Sequence, residues 1–537
     1  MPKEPFPEHV RGLLRKRAYP RPVRSIELVQ THISYVFLVD DQVYKLKKAV
    51  NLGFVDFSTL AKRKAACEAE VRLNRRGCPG GVYIGVEPVT RRDGQYYVGG
   101  AGEIVDYVVH MKRLPREGMM DRLLARGAVD FEMIGRVAAR LAELHREAER
   151  GEQIADKGGF EQELRNWREN LVQVRPQVGQ TLSLARLQRI ERFVDGFMHR
   201  EAALMRRRER EGWVRDCHGD LRSDAVCFDP SLPGGICIYD CIEFNDAFRY
   251  SDTGLDAAFL AMDLDYRGRP DLSDLFIGLY AAAMGDKELP VLLDLFKCYR
   301  ATVRGKVESL LAADAGVPAR QRTAARRRAR AYFALAESYT RKRRRKALVL
   351  VTGPSGSGKS VLAGVLAARL GAVLLSTDIA RRELFEARGR GAAVDTGIYT
   401  PEARERVYAE IERQAGAFLA AGRPVVADGT YIERRQREPL EGLARSAQAR
   451  LLVVECWAPD EVVRDRQARR EGEAWTASEG RWEVYLAQKA RAEPATEVEE
   501  AQRVSIDTTR PLSEQIEAVE GRLRGRPSSR EAPQSRR

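Results

Sequence analysis

Two fold classes in series are predicted by this chain: an α+β, two-lobed domain in front, and an α/β domain with a doubly wound parallel sheet behind. Three observations carry the prediction. At 537 residues the chain exceeds what a single core serves, so at least two domains are expected. Up to about residue 115 strand-like patterns dominate, and from 116 to 340 long helical patterns take over. After 346, short apolar strands alternate with helical stretches, as in a parallel sheet covered on both faces.

In order, residues 1–24 read as an N-terminal extension and 25–115 as a small mixed lobe. Within it, Val36-Phe-Leu-Val39, Asp40-Asp41 and Gln42-Val-Tyr-Lys-Leu-Lys47 make a hairpin. A helix follows over 58–76, then strands at 82–89, 95–98 and 104–111. Met111-Lys-Arg-Leu-Pro115 closes the lobe, and 116–319 reads as a helical lobe. Residues 320–345 read as a basic linker helix whose Tyr332, Leu335, Ala336 and Tyr339 share one face and pack on the first domain. The second domain spans 346–522, with strands at 347–352, 372–376, 424–428, 450–456 and 503–507 and a helix over 401–421. Residues 523–537 read as a disordered basic tail.

The firmest motif sits between the first of those strands and a helix: Gly353, Pro354, Ser355, Gly356, Ser357, Gly358, Lys359 and Ser360. It fits GxxxxGK[ST], a phosphate-binding P-loop. The glycines let successive backbone N–H groups turn toward one anion, and the helix N-terminus adds partial positive charge. Lys359 would reach the outer phosphates of ATP, and Ser360 would ligate Mg²⁺. Asp428 ends the strand Pro424-Val-Val-Ala-Asp428, where an acid can organise the same ion. Asp378 and Arg381 open the helix after the second strand. There a carboxylate can take an acceptor hydroxyl's proton and an arginine can hold an anionic group. Arg466 and Arg470, one helical turn apart, could close on a transferring phosphoryl group. The same residue types also fit helix caps and a solvated basic face.

Residues 346–510 resemble the P-loop kinases grouped near gluconate kinase, the zeta toxins and chloramphenicol phosphotransferase. The P-loop, Ser376-Thr-Asp-Ile-Ala-Arg-Arg-Glu-Leu384, Tyr399-Thr-Pro-Glu402, Val425-Val-Ala-Asp-Gly-Thr-Tyr431 and the Val463–Arg470 cluster carry the resemblance. It implies that Asp378 contacts the acceptor.

In the front domain three patterns occur in order: Leu141-Ala-Glu-Leu-His145, Cys217-His-Gly-Asp-Leu-Arg222 and Ile238-Tyr-Asp-Cys-Ile-Glu-Phe244. Together they resemble the aminoglycoside phosphotransferase family, which has a protein-kinase-like two-lobed fold. The resemblance implies Asp220 as base, Asp240 as Mg²⁺ ligand and an ATP-binding lysine on the third strand. Lys45 and Lys47 share a face there. Lys45 is preferred, because Val43 two residues earlier suits packing on adenine. Its helical acid partner is Glu70 in preference to Glu68. One departure stands out: the family's second metal ligand is an asparagine five residues after the base, and here that position is Ala225. The two-domain order resembles a family of bacterial fusion proteins.

Composition bounds the rest. The net charge is +14, but residues 320–346 hold twelve Lys/Arg against one Glu, and 521–537 six Arg against one Glu. The remaining chain carries a net −2, so the folded domains are not nucleic-acid binders by charge; only segment 320–346 could dock RNA or an acidic partner. No apolar run is long enough to span a bilayer, and the N-terminus lacks the apolar stretch of a secretory signal, so a cytoplasmic protein is expected. The eight cysteines form no CxxC pair and read as buried free thiols. The expectation is an ATP- and Mg²⁺-dependent phosphotransferase acting on a small hydroxylated molecule, with one or two kinase sites. The alternative is a P-loop ATPase switch regulated by a degenerate kinase-like binding domain.

Overall fold

The computed structural model describes residues 6–53, 55–341, 346–385, 400–470 and 482–525. By packing, the chain divides into two units: Met1–Arg267 with Tyr299–Ala336, and Gly268–Cys298 with Glu337–Arg537.

The first unit has the protein-kinase-like fold. Its small lobe is an antiparallel sheet of β1 (Ile26–Gln30), β2 (Ser34–Val39), β3 (Gln42–Lys47), β4 (Tyr83–Arg92), β5 (Gln95–Val98) and β6 (Glu103–Lys112). The strand order is β1-β2-β3-β6-β4-β5. The β2–β3 hairpin turns at Asp40, which takes a positive φ of 52°, and the Asp40 carboxylate accepts the N–H groups of Arg24 and Ser25. Phe37, Tyr44, Leu46, Val89 and Val108 fill the core on one sheet face. The Leu60–Gly77 helix is capped by the Thr59 hydroxyl and buries Glu70 and Asn74 along with Cys67, Val71 and Leu73.

The helical lobe includes the Phe131–Glu147, Leu184–Arg210 and Thr253–Tyr266 helices. It also holds four three-residue strands: β7 (Val214–Asp216), β8 (Val226–Phe228), β9 (Ile236–Ile238) and β10 (Tyr250–Asp252). They pair as β7–β10 and β8–β9 and hold the two acidic motifs in adjoining turns. The Ala319–Tyr339 helix buries Tyr332 and Ala336 as its pattern predicts, and Tyr332 stacks on Tyr266 with ring centroids 4.0 Å apart.

One expectation is corrected. Cys78 and Cys237 are joined by a disulfide, with Cα atoms 4.4 Å apart, whereas Cys67, Cys217, Cys227, Cys241, Cys298 and Cys456 are free and buried. The close approach is permitted by Gly77, which has no Cβ. Its absence lets the helix end lie directly against the Ile238 carbonyl, and a separation of 159 residues hides that approach from the sequence.

The second unit is a five-stranded sheet of β11 (Ala347–Thr352), β12 (Val373–Ser376), β13 (Val425–Asp428), β14 (Arg450–Trp457) and β15 (Arg503–Asp507). The strand order is β12-β13-β11-β14-β15 and all four pairings are parallel. β11, β12 and β13 are buried at every position, as strands covered on both faces must be. Gly268–Cys298, which the sequence reading places in the helical lobe, groups with this unit. Its Pro270–Met284 helix crosses the Lys359–Leu370 helix at Gly278 and Gly364, where a Cβ on Gly364 would stand 3.0 Å from the Gly278 Cα. Among the described residues no helix is long and apolar enough to cross a membrane.

Candidate active sites

In the second unit the site forms at the carboxyl ends of the parallel strands, where open α/β sheets bind ligands. β11 runs into the P-loop. Gly353, Gly356 and Gly358 adopt φ values of 148°, 83° and 84°, a region that strains any residue with a Cβ. Lys359, 8% exposed, and Ser360 begin the helix that follows. Asp428 ends β13 in register with Ser376 at the end of β12, and it lies 4% exposed. The Ser376 hydroxyl donates to Asp428 Oδ2 at 3.3 Å, and the Ser360 hydroxyl lies near enough to favour the carboxylate. Its Oδ1 is buried with no partner. Burial pushes the Asp428 carboxyl up to about 6; nearby Lys359 opposes this and Asp378 adds to it. A buried carboxylate with one oxygen unfilled, beside a serine hydroxyl and a lysine, is a donor set that fits Mg²⁺. Asp378 and Arg381 lie one turn apart, with Arg381 Nη1 donating to Asp378 Oδ1 at 2.9 Å.

Arg466 is placed against the P-loop itself. Its Nη1 donates to Thr508 Oγ1 and its Nη2 to the Thr508 carbonyl, both at 2.9 Å. Thr508 Oγ1 in turn donates to the Ser357 carbonyl at 2.7 Å. Arg470 falls in the stretch whose side chains lie outside the described residues. Two contacts were not foreseen. Thr508 ties the end of β15 to the loop, a position the strand-end rule could have flagged. Gln488, on the Trp482–Arg491 helix, accepts the Ser355 N–H at 2.7 Å, and no local sequence signal marks it.

In the first unit Lys45, on β3, donates to Glu70 at 2.8 Å and to Asp240 at 2.9 Å. Lys47 faces the same way and pairs with Glu70 and Glu243. Both lysines are therefore engaged with acids of the second motif, Lys45 with Asp240 and Lys47 with Glu243. Burial works against the Lys45 charge, but Asp240 and Glu70 outweigh it and hold the ammonium well above its ordinary range. Lys45 holds the Asp240 carboxyl down to about 2. Asp240 is exposed and carries a φ of 63°, in the left-handed region.

The Asp220 turn is pinned from below. Buried Asp256 accepts the N–H groups of His218 and Gly219 at 3.2 and 2.8 Å, and His145 Nε2 lies 3.1 Å from it. Arg300 Nη1 donates to the Gly219 carbonyl at 3.2 Å. Asp220 itself pairs with Arg222, its Oδ1 3.2 Å from Nε. Ala225 is 5% exposed, and its methyl group offers a cation no donor.

These two sites, a kinase-like cleft and a P-loop on a parallel sheet, define the class: a fusion of a protein-kinase-like unit with a P-loop unit. Residues 348–495 match the family described as AAA domain. The chain is 33% identical over 450 residues to the uncharacterized protein Rv2004c of Mycobacterium tuberculosis, covering 83% of this chain and 86% of that one. The uncharacterized protein Mb2027c of Mycobacterium bovis matches equally. The chain belongs to the family of these mycobacterial proteins. Among solved structures, a gluconokinase from Sinorhizobium meliloti is 24% identical with a TM-score of 0.26 and covers 34% of this chain and 94% of its own. A choline/ethanolamine kinase family protein from Mesorhizobium loti is 13% identical with a TM-score of 0.35 and covers 59% and 92%.

Proposed function

We propose that the protein is an ATP- and Mg²⁺-dependent phosphotransferase whose P-loop unit phosphorylates a small hydroxylated molecule in the cytoplasm. One observation carries the reading: Lys359, Ser360 and a buried Asp428 with an unfilled oxygen converge at the carboxyl ends of β11 and β13. Ser360 and Asp428 would hold Mg²⁺, which neutralises phosphate charge when bound. The P-loop N–H groups and Lys359 bind and orient the triphosphate. Asp378 takes the proton from the acceptor hydroxyl. The acceptor oxygen forms a bond to the γ-phosphorus as the bond to the β,γ-bridging oxygen breaks, and ADP leaves with that electron pair. Arg381 favours an acceptor bearing an anionic group, and Arg466 steadies the loop through Thr508. In an ATP-consumption screen of hydroxylated metabolites with the intact protein, Lys359→Ala should abolish turnover. Unchanged turnover would refute the assignment.

A second reading has its own observation, the Glu70–Lys45–Asp240 chain. It makes the first unit a second nucleotide site, with Lys45 on the phosphates, Asp240 on Mg²⁺ and Asp220 as base. Mg²⁺-dependent nucleotide binding that survives Lys359→Ala and is lost in Asp240→Asn would support it.

A further inference from the structure

The Asp220 turn lacks a metal ligand and contains a cation of its own. Kinase-like sites hold two divalent ions, one on the acid of the second motif and one on a catalytic-loop asparagine. Here the asparagine position is Ala225, whose methyl group offers a second ion no ligand. What the turn offers instead is the Arg222 guanidinium. Its Nε and Nη2 grip Asp220 at 3.2 and 3.3 Å, and its Nη1 grips Asp224 at 2.9 Å. The side chain is 19% exposed. Burial disfavours its charge, yet Asp220 and Asp224 hold it firmly protonated.

The arrangement is fixed on every side. Ser223 donates its N–H to Asp263 at 3.1 Å and its hydroxyl to the same carboxylate, which also takes Arg267 at 2.9 Å. Tyr239 donates its hydroxyl to the Asp224 carbonyl at 2.9 Å, and its N–H to the Ala225 carbonyl at 3.0 Å. Two carboxylates thus converge on one planar cation that cannot dissociate. Without it they would repel each other, and a divalent ion would be the ordinary way to relieve that. Asp224, the one nearby side chain able to replace the missing asparagine, gives its Oδ2 to Arg222, which leaves only its buried Oδ1 without a partner.

We infer that Arg222 takes the place of the second divalent cation, so that the first unit holds nucleotide with a single metal ion, at Asp240. Arg222 is then a positioning residue: it keeps Asp220 oriented without touching the reacting atoms. The inference rests on the reading of the first unit as a nucleotide site.

The test counts metal. Full-length protein carrying Lys359→Ala is titrated with Mn²⁺ and a non-hydrolysable ATP analogue. Bound Mn²⁺ is read by electron paramagnetic resonance and bound nucleotide by equilibrium dialysis. Asp240→Asn on the same background identifies the share that belongs to the first unit. One Mn²⁺ per nucleotide is expected. Arg222→Lys keeps one, and Arg222→Met weakens nucleotide binding about tenfold. Adding Ala225→Asn to Arg222→Met restores affinity and raises the count to two, a rescue that a merely structural arginine would not show. Two Mn²⁺ per nucleotide in the Lys359→Ala protein, or unchanged affinity in Arg222→Met, overturns the inference alone. No nucleotide binding sensitive to Asp240→Asn overturns the underlying reading.

Discussion

The two candidate sites differ in how their charges are satisfied. In the P-loop unit Asp428 keeps a buried oxygen without a partner, and burial lifts its carboxyl to about 6. In the kinase-like unit Lys45, Lys47, Glu70, Asp240 and Glu243 are joined in one ion-pair network, and Asp220 is gripped by Arg222. A buried polar atom left unpaired is costly, so a cation that completes the bonding at Asp428 relieves that cost. The network around Lys45 asks nothing of a ligand until one of its pairs opens, although Asp224 Oδ1 beside Arg222 is itself buried without a partner. The first site is poised to gain interactions on binding; the second must exchange some of those it has. This difference makes the P-loop unit the stronger candidate for the main activity.

That contrast can be broken by mutation. The largest effect is expected from Asp428→Asn, which should cut Mg²⁺-dependent turnover about a hundredfold and raise the Mg²⁺ concentration needed for half-maximal rate. Below pH about 6 the wild-type carboxyl carries a proton that competes with the cation, so the Mg²⁺ requirement should rise as pH falls through that value. A Mg²⁺ requirement flat from pH 5 to 8 would count against Asp428 as the ligand. A smaller effect, about tenfold in nucleotide affinity of the first unit, is expected from Glu70→Gln, because Lys45 and Lys47 would then have to re-pair. Calorimetry on the Lys359→Ala background reads it directly.

A further effect lies outside both sites and bears on stability. Burial lifts the Glu163 carboxyl up to about 8, with Asp252 adding to it, and Glu163 Oε1 has no partner. Its folded value lies above the unfolded one, so the unfolded chain gives up the proton first as pH rises. The group favours folding most below about pH 4.5 and loses that contribution as pH climbs toward 8. Glu163→Gln should flatten the pH dependence of thermal unfolding across this window. An unaltered slope would show that Glu163 is ionised in the folded protein.

Much of this was legible because the informative residues are contiguous. The P-loop, its strand and its helix occupy one short stretch, and the five strands of the second unit announce themselves as apolar runs. The hairpin and the Leu60–Gly77 helix follow from alternation and from Thr59 as a cap. β1 was not read as a strand: its alternation is weak, and it is half exposed at the sheet edge. Gln488 reaches the P-loop across 133 residues through tertiary packing that no local pattern encodes, and Thr508 across 151, marked in the sequence only by its place at the end of β15. The Cys78–Cys237 bridge was missed for the same reason. The grouping of Gly268–Cys298 with the rear unit depends on Gly278 meeting Gly364, which appears in the sequence as two ordinary helix glycines. Lys45 and Lys47 could be placed on one face, but only the packed sheet shows both lysines sharing Glu70.

The central claim is that the site built on Lys359 carries the activity. The direct measurement is ATP consumption by the intact protein with an accepted hydroxylated substrate, compared among wild type, Lys359→Ala and Asp220→Ala. The account predicts that Lys359→Ala abolishes consumption and that Asp220→Ala leaves most of it. Loss in Asp220→Ala with full activity in Lys359→Ala would contradict it and assign the reaction to the kinase-like unit.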